Sequence, residues 1–125
     1  MHCIICRNCC VKSFSTNDNK TYWKCTFCNG KFLDKVHYIS NVSEKNRYLE
    51  HNNDINDEGY KSFLRKLICP LLKKISTGAE GLDFGCGHGP ALAGMLEKEG
   101  FSISLYDPFF FPDTAVLSKQ YDFIT

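Results

Sequence analysis

Two sets of residues in this 125-residue chain have types and spacings that suit chemistry. The first is a group of cysteines. Cys3-Ile4-Ile5-Cys6 and Cys25-Thr26-Phe27-Cys28 form Cys-x2-Cys-x18-Cys-x2-Cys, a spacing that reads as a four-thiolate zinc site. Two residues between cysteines let one tight turn present both sulfurs, and two such turns complete a tetrahedron. Asn29-Gly30 after the second pair supplies the residues such a turn needs. A second register is open: Cys6 and Cys9 with Cys25 and Cys28 leaves fifteen intervening residues and meets the same rule. His2 and Cys10 are substitute ligands, and a disulfide framework is the competing use of the six cysteines. No apolar leader precedes Cys3, so a reducing, cytoplasmic setting is expected, where such pairs read as metal sites first.

The second set is Gly85, Gly87 and Gly89, with Asp83 before them and Asp107 after. Residues without Cβ atoms let the backbone turn sharply and approach a ligand closely. A helix start following such a turn favours a polar or anionic group. The spacing then separates two cofactor classes. A dinucleotide fingerprint requires Gly-x-Gly-x-x-Gly, but here the third glycine comes one residue early and Pro90 takes its place. A dinucleotide-dependent enzyme is therefore disfavoured.

Leu82-Asp83-Phe84-Gly85-Cys86-Gly87-His88-Gly89 resembles the first motif of class I S-adenosylmethionine-dependent methyltransferases, an acid followed by x-Gly-x-Gly-x-Gly. Asp107, twenty residues after Gly87, stands where this family keeps a second acid. The resemblance implies a Rossmann-like α/β domain that binds S-adenosylmethionine. Asp83 would support the methionine end, the backbone of Gly85, Cys86, Gly87 and Gly89 would cradle the cofactor, and Asp107 would accept hydrogen bonds from the ribose. Some members begin with a Cys-x-x-Cys zinc ribbon, which favours Cys3, Cys6, Cys25 and Cys28 as the zinc ligands. Class I enzymes often fold the segment before the cofactor half over the site, which makes Tyr48, His51 and Tyr60 candidate lining residues. The same resemblance implies that Tyr121–Thr125 opens the family's fourth strand, with an abbreviated stretch over 108–120. It further implies that the chain is the N-terminal half of a domain, with no general base to name. The methyl acceptor (RNA, protein or small molecule) is not readable.

The elements that must position these residues fall into three stretches: 1–36 as a ribbon, 37–57 as a polar linker or cover, and 58–125 as the start of an α/β domain. In the ribbon, Phe14, Tyr22, Trp23, Phe27 and Phe32 are the expected core, small enough to need a metal. Lys12, Lys20, Lys24, Lys31 and Lys35, with Tyr22 and Trp23, suit phosphates and stacked bases. A non-catalytic ribbon module binding nucleic acid or protein is thus the alternative to an enzyme. The Asn-rich run 51–57 reads as a loop. Tyr60, Phe63, Leu64, Leu67, Ile68, Leu71, Leu72 and Ile75 then recur at helical steps, capped by Asp57, with Pro70 expected to kink or divide the helix. Gly81–Phe84 reads as a strand, 90–99 as a helix with Pro90 at its start, and Phe101–Tyr106 as a second strand. Cys69 and Cys86 are expected as small buried apolar residues.

Charge adds little. The chain carries a formal +1, split as +4 over residues 1–50 and −3 over 51–125 by count of Lys/Arg against Asp/Glu. No run approaches the roughly 20 apolar residues that a membrane span needs.

Overall fold

The computed structural model describes residues 1–51 and 54–125; Asn52 and Asn53 of the polar run lie outside the described residues. The chain divides into two compact units, Met1–Glu44 and Lys45–Thr125.

The first unit is an antiparallel three-stranded sheet, β1 (Val11–Asn17), β2 (Lys20–Cys25) and β3 (Lys31–Leu33), in that order. Asp18 and Asn19 both take positive φ, 49° and 60°. That is the conformation a two-residue hairpin loop needs to match strand twist, and Asp and Asn tolerate it well. Register runs Val11 to Cys25, Lys12 to Lys24 and Ser13 to Trp23, then shifts at a bulge before Ser15 meets Tyr22. Because side chains alternate across a strand, Trp23, Cys25 and Phe32 share one face. Cys3, Cys25 and Phe32 are buried there, with Cys6, Val11 and Trp23 packed against them. The aromatic core is smaller than the sequence suggests: Phe14 is 48% exposed and Phe27 71%. The bulge between Ser13 and Ser15 interrupts the alternation around Phe14, and Phe27 sits within a cysteine turn, where both intervening residues face water.

The polar segment is not all loop. A 3-10 turn at Lys35–His37, capped by the Asp34 carboxylate, leads to α1 (Asn41–Leu49). Ser40 starts this helix by accepting the Ser43 amide on its hydroxyl, a local cap. No residue of α1 is buried, and its three apolar residues, Val42, Tyr48 and Leu49, sit within a polar run.

In the second unit, α2 (Glu58–Leu72) is capped by Asp57, whose Oδ1 accepts the Tyr60 amide at 2.6 Å. The helix runs unbroken through Pro70 and ends at Leu72. Pro70 sits in the last turn, where the lost N–H removes one bond and little helix remains to disrupt. Only part of the expected stripe is covered: Leu64 and Ile68 are buried, whereas Phe63 and Leu67 are exposed. Cys69 is exposed as well, one position past the buried Ile68 and so turned off the packed face.

β4 (Glu80–Phe84), α3 (Ala91–Lys98) and β5 (Ser102–Tyr106) form a strand–helix–strand unit, and β6 (Phe123–Ile124) joins the sheet afterwards. The order is β5-β4-β6, all parallel. Leu64, Ile68, Ala91 and Leu96 make the core, with Tyr60, Phe101, Ile103 and Phe123 packed around it. The chain leaves β4 toward β5 on one side and returns to β4's other side at β6. Strand order therefore reverses at β4, and the glycine turn begins where β4 ends.

Candidate functional site

In the first unit, two turns of the same shape carry the cysteines. The Cys3 amide donates to the Asn8 carbonyl at 2.8 Å, and the Cys25 amide to that of Gly30 at 2.9 Å. Arg7 and Asn29, each directly after its second cysteine, take φ of 63° and 59°. The two turns bring Sγ of Cys3, Cys6, Cys25 and Cys28 within 4.8 Å of one another. Cys3 lies 3.6 Å from Cys28 and Cys6 3.7 Å from Cys25. A tetrahedron built on Zn–S bonds of about 2.3 Å has edges of roughly 3.8 Å, so the donor set fits zinc in number, type and spacing. The same separations are far beyond the ~2.05 Å of a disulfide. Backbone N–H groups point at the sulfurs: that of Cys6 chief among them holds the Cys3 thiol down at about 7, and that of Cys28 lowers Cys25. Such donors favour thiolate, the form that binds metal. Cys6, despite the Asn8 amide, is pushed up to about 12 by burial and by the neighbouring Cys28, Cys25 and Cys3 side chains. Cys9 and Cys10 are exposed outside the cluster.

In the second unit, Asp83 and Asp107 are the buried charged residues among those described, 6% and 7% exposed. They end adjacent parallel strands on either side of the glycine turn, where strand order reverses. Gly85 and Gly87 take φ of 84° and 67°, a conformation that L side chains resist. A Cβ at Gly85 would meet nothing within 4 Å, so this face of the turn is open to a ligand. The turn is pinned by β5: the amides of Gly85 and Cys86 donate to the Tyr106 carbonyl at 2.7 and 3.2 Å, and that of Gly87 to Asp107 Oδ2 at 3.1 Å. Three of the amides expected to face a ligand are thus engaged within the fold, leaving those of His88 and Gly89 unpaired among the described residues.

Asp107 is similarly committed. Its Oδ1 accepts the amides of Phe109 and Phe110 at 2.8 and 3.1 Å. With Gly87 that makes three bonds to a carboxylate that offers about four lone-pair directions. Asp83 differs: burial raises its pKa, offset in part by a hydrogen bond with Thr125, and no cation pairs with it among the described residues. Burial, then the Asp83 and Asp107 charges, push the Cys86 thiol up to about 11, so at neutral pH it is no nucleophile and serves as a turn residue.

Aromatic rings continue from this turn. His88 lies 5.5 Å from Phe110, Phe110 6.4 Å from Phe109, and Phe109 6.0 Å from Tyr48, which meets His51 edge-on at 6.4 Å. Lys45 Nζ stands 5.5 Å over the Phe110 ring. The structure thus brings Tyr48 and His51 toward the turn through Phe109 and Phe110, whose part the sequence reading missed; a run of three phenylalanines after an acid was the available signal. Tyr60 lies close enough to Asp83 for its charge to raise the phenol, although burial is the larger cause. His88 Nδ1 is buried without a hydrogen-bond partner, and His88, Gly89, Pro90, Leu105 and Ile55 line a cavity of about 650 Å3. A buried ring nitrogen without a partner is an exception that calls for an explanation.

Among the described residues no helix is long and apolar enough to cross a membrane. A family model described as a methyltransferase domain matches residues 57–125. No curated protein and no solved structure matches the chain.

Proposed function

Because the chain belongs to the methyltransferase-domain family through residues 57–125, we propose that its second unit is a Rossmann-like domain that binds S-adenosylmethionine for methyl transfer. One observation carries the reading: two buried acids end adjacent parallel strands where the strand order reverses. In open α/β sheets, ligands sit outside the carboxyl ends of strands at such a switch point.

The family generally uses S-adenosylmethionine, which when bound supplies an activated methyl group on sulfur. The chain's own residues have separable tasks. Asp83, buried with its pKa raised and no cation beside it, would hold an ammonium such as that of the methionine moiety, which would return the carboxylate to its charged form. The open face at Gly85 would admit the cofactor against the backbone, and the amides of His88 and Gly89 would donate to it. Asp107 would give its one remaining acceptor direction to a ribose hydroxyl while keeping the turn closed through three backbone amides. The rings of Tyr48, Phe109 and Phe110 would exclude water from the methyl's path, so that rate enhancement comes mainly from positioning. The acceptor remains open among RNA, protein and small molecules.

For the first unit the reading is a zinc ribbon with Cys3, Cys6, Cys25 and Cys28 as ligands. A core of three buried residues is too small to hold a sheet alone. Four Zn–S bonds would supply the missing cross-links, a structural task with no open position for chemistry.

Calorimetric titration of the zinc-loaded chain with S-adenosylhomocysteine tests the cofactor reading. Saturable binding is expected, lost in Asp83→Asn and in Gly85→Val. Absence of binding by a folded chain, or undiminished binding by Asp83→Asn, would refute it.

A further inference from the structure

Strand register in the first unit places Lys12 opposite Lys24 and Lys24 opposite Lys31, a row of three lysines that crosses all three strands. Directly opposed like charges destabilise a sheet. The row is not relieved from within: the three strands contain no Asp or Glu, and no carboxylate pairs with these lysines among the described residues. Alternation along β2 puts Lys20 and Tyr22 on the same face as Lys24. Phe14 belongs there too, since Lys31 Nζ lies 4.3 Å from its ring centroid, and its ring is 48% exposed. Trp23 is excluded. It lies on the opposite face, where its Nε1 donates to Asp34 Oδ2 at 2.8 Å. The sheet therefore presents an outer face of four ammonium groups, none with a carboxylate partner among the described residues, and two aromatic rings, backed by the cysteine cluster.

We propose that this face binds single-stranded RNA, with Lys12, Lys24 and Lys31 on successive phosphates and Phe14 and Tyr22 stacking unpaired bases. The lysines alone would suit any polyanion. The rings decide between partners: aromatic groups interleaved with cations on an open sheet face are a stacking platform for exposed bases, and a duplex has none to offer. Unpaired, splayed bases are what RNA loops and bulges display. The proposal rests on the first unit alone and stands independently of cofactor binding by the second.

Fluorescence anisotropy with the full zinc-loaded chain and a labelled RNA of about 12 nucleotides, within the usual span for such platforms, tests it. Three phosphate contacts to a single strand predict a slope of log K against log[salt] of about −2, so affinity should fall about 20-fold between 50 and 200 mM salt. The triple variant Lys12→Gln/Lys24→Gln/Lys31→Gln should flatten that slope to near zero. Phe14→Ala and Tyr22→Ala should each weaken binding about tenfold with the slope unchanged. Lys24→Gln supplies the folding control: relieving an in-register repulsion should raise the thermal midpoint of the RNA-free protein. Tighter binding of the matching duplex, an acidic peptide that competes regardless of the Phe14→Ala change, or no saturable binding at low salt would each overturn the proposal.

Discussion

Gly81 lies within β4 directly opposite Phe123 of β6, and the contact there joins the last strand to the site. A Cβ added at Gly81 would stand 2.4 Å from Cζ of Phe123, 2.5 Å from Cε2 and 2.9 Å from Cε1. Carbon atoms in contact sit about 3.5–4.0 Å apart, so Gly81→Ala requires the ring to retreat by roughly 1.1–1.6 Å. The ring is not at liberty to do so. Phe101 meets it edge-on at 6.2 Å, and it packs against the Leu64–Leu96 core. β6 is only two residues long, so movement of Phe123 also loosens the bonds from Thr125 to Leu82 and from Phe84 to Thr125. Forced overpacking costs about 1–3 kcal/mol, while loss of a strand glycine offsets about 0.5–1 kcal/mol through backbone entropy. The expected net is a destabilisation of about 0.5–2 kcal/mol. Urea unfolding followed by far-UV circular dichroism reads this, while Trp23 fluorescence, which reports the other unit, should not move. The decisive assay is the double-mutant cycle with Phe123→Ala. Removing the ring frees the space, so the double variant should be less destabilised than the sum of the single changes by about 1 kcal/mol or more. Additive effects, or wild-type stability in Gly81→Ala, would refute the reasoning.

Cys25→Ser, at a fully buried ligand position, should abolish tight zinc binding and unfold the first unit, whereas Cys9→Ser and Cys10→Ser should stay within about 0.5 kcal/mol of wild type; zinc stoichiometry and Trp23 fluorescence melts check both. Burial holds Asp83 above the usual 3.8, so the folded chain keeps this proton longer than the unfolded one, and stability from this group is lost as pH rises from 3.8 through the folded value. Asp83→Asn should flatten that decline and raise the neutral-pH midpoint while abolishing S-adenosylhomocysteine binding; thermal melts across pH decide it, and a parallel decline in the variant would count against the assignment. Asp107→Asn retains one acceptor oxygen for three backbone donors, so about 1–3 kcal/mol of turn stability should go, visible as faster hydrogen exchange at the Gly87 and Phe109 amides.

What the sequence disclosed was local. Asp57 as a cap, glycines between a strand and a helix, and paired cysteines each announce a structure that a few neighbouring residues determine. What it withheld depended on partners far along the chain. Tyr106 and Asp107 take up the amides of the glycine turn from another strand, so counting glycines overstated the N–H groups left for a ligand. Trp23 looked interchangeable with Tyr22 as a stacking residue, and only strand register separates the face that meets Asp34 from the face that meets water. The helix α1 buries nothing and has only Val42, Tyr48 and Leu49 as apolar residues, too few to stand out from the polar run around them. The Asp18–Asn19 hairpin, by contrast, was legible and overlooked, because two short polar residues that tolerate positive φ stand between alternating strands.

The second unit keeps two groups that folding alone does not explain. A buried carboxyl with a hydrogen bond to Thr125 but no cation among the described residues, and a buried imidazole nitrogen without a partner, each oppose folding, since the bonds given up to water are not fully replaced. Asp107 shows the contrast: equally buried, it repays its desolvation with three backbone bonds and would be retained for structure alone. Asp83 has only a hydrogen bond with Thr125 to offset its burial, and His88 Nδ1 has no partner among the described residues; Asp83 precedes the glycine turn, and His88 lies within it and lines the adjoining cavity. Under the proposed cofactor role, the cost of burying Asp83 is offset by the ligand's ammonium rather than by the fold. On that reasoning the stabilising effect of Asp83→Asn and its loss of binding have a single cause, and they should appear together or not at all.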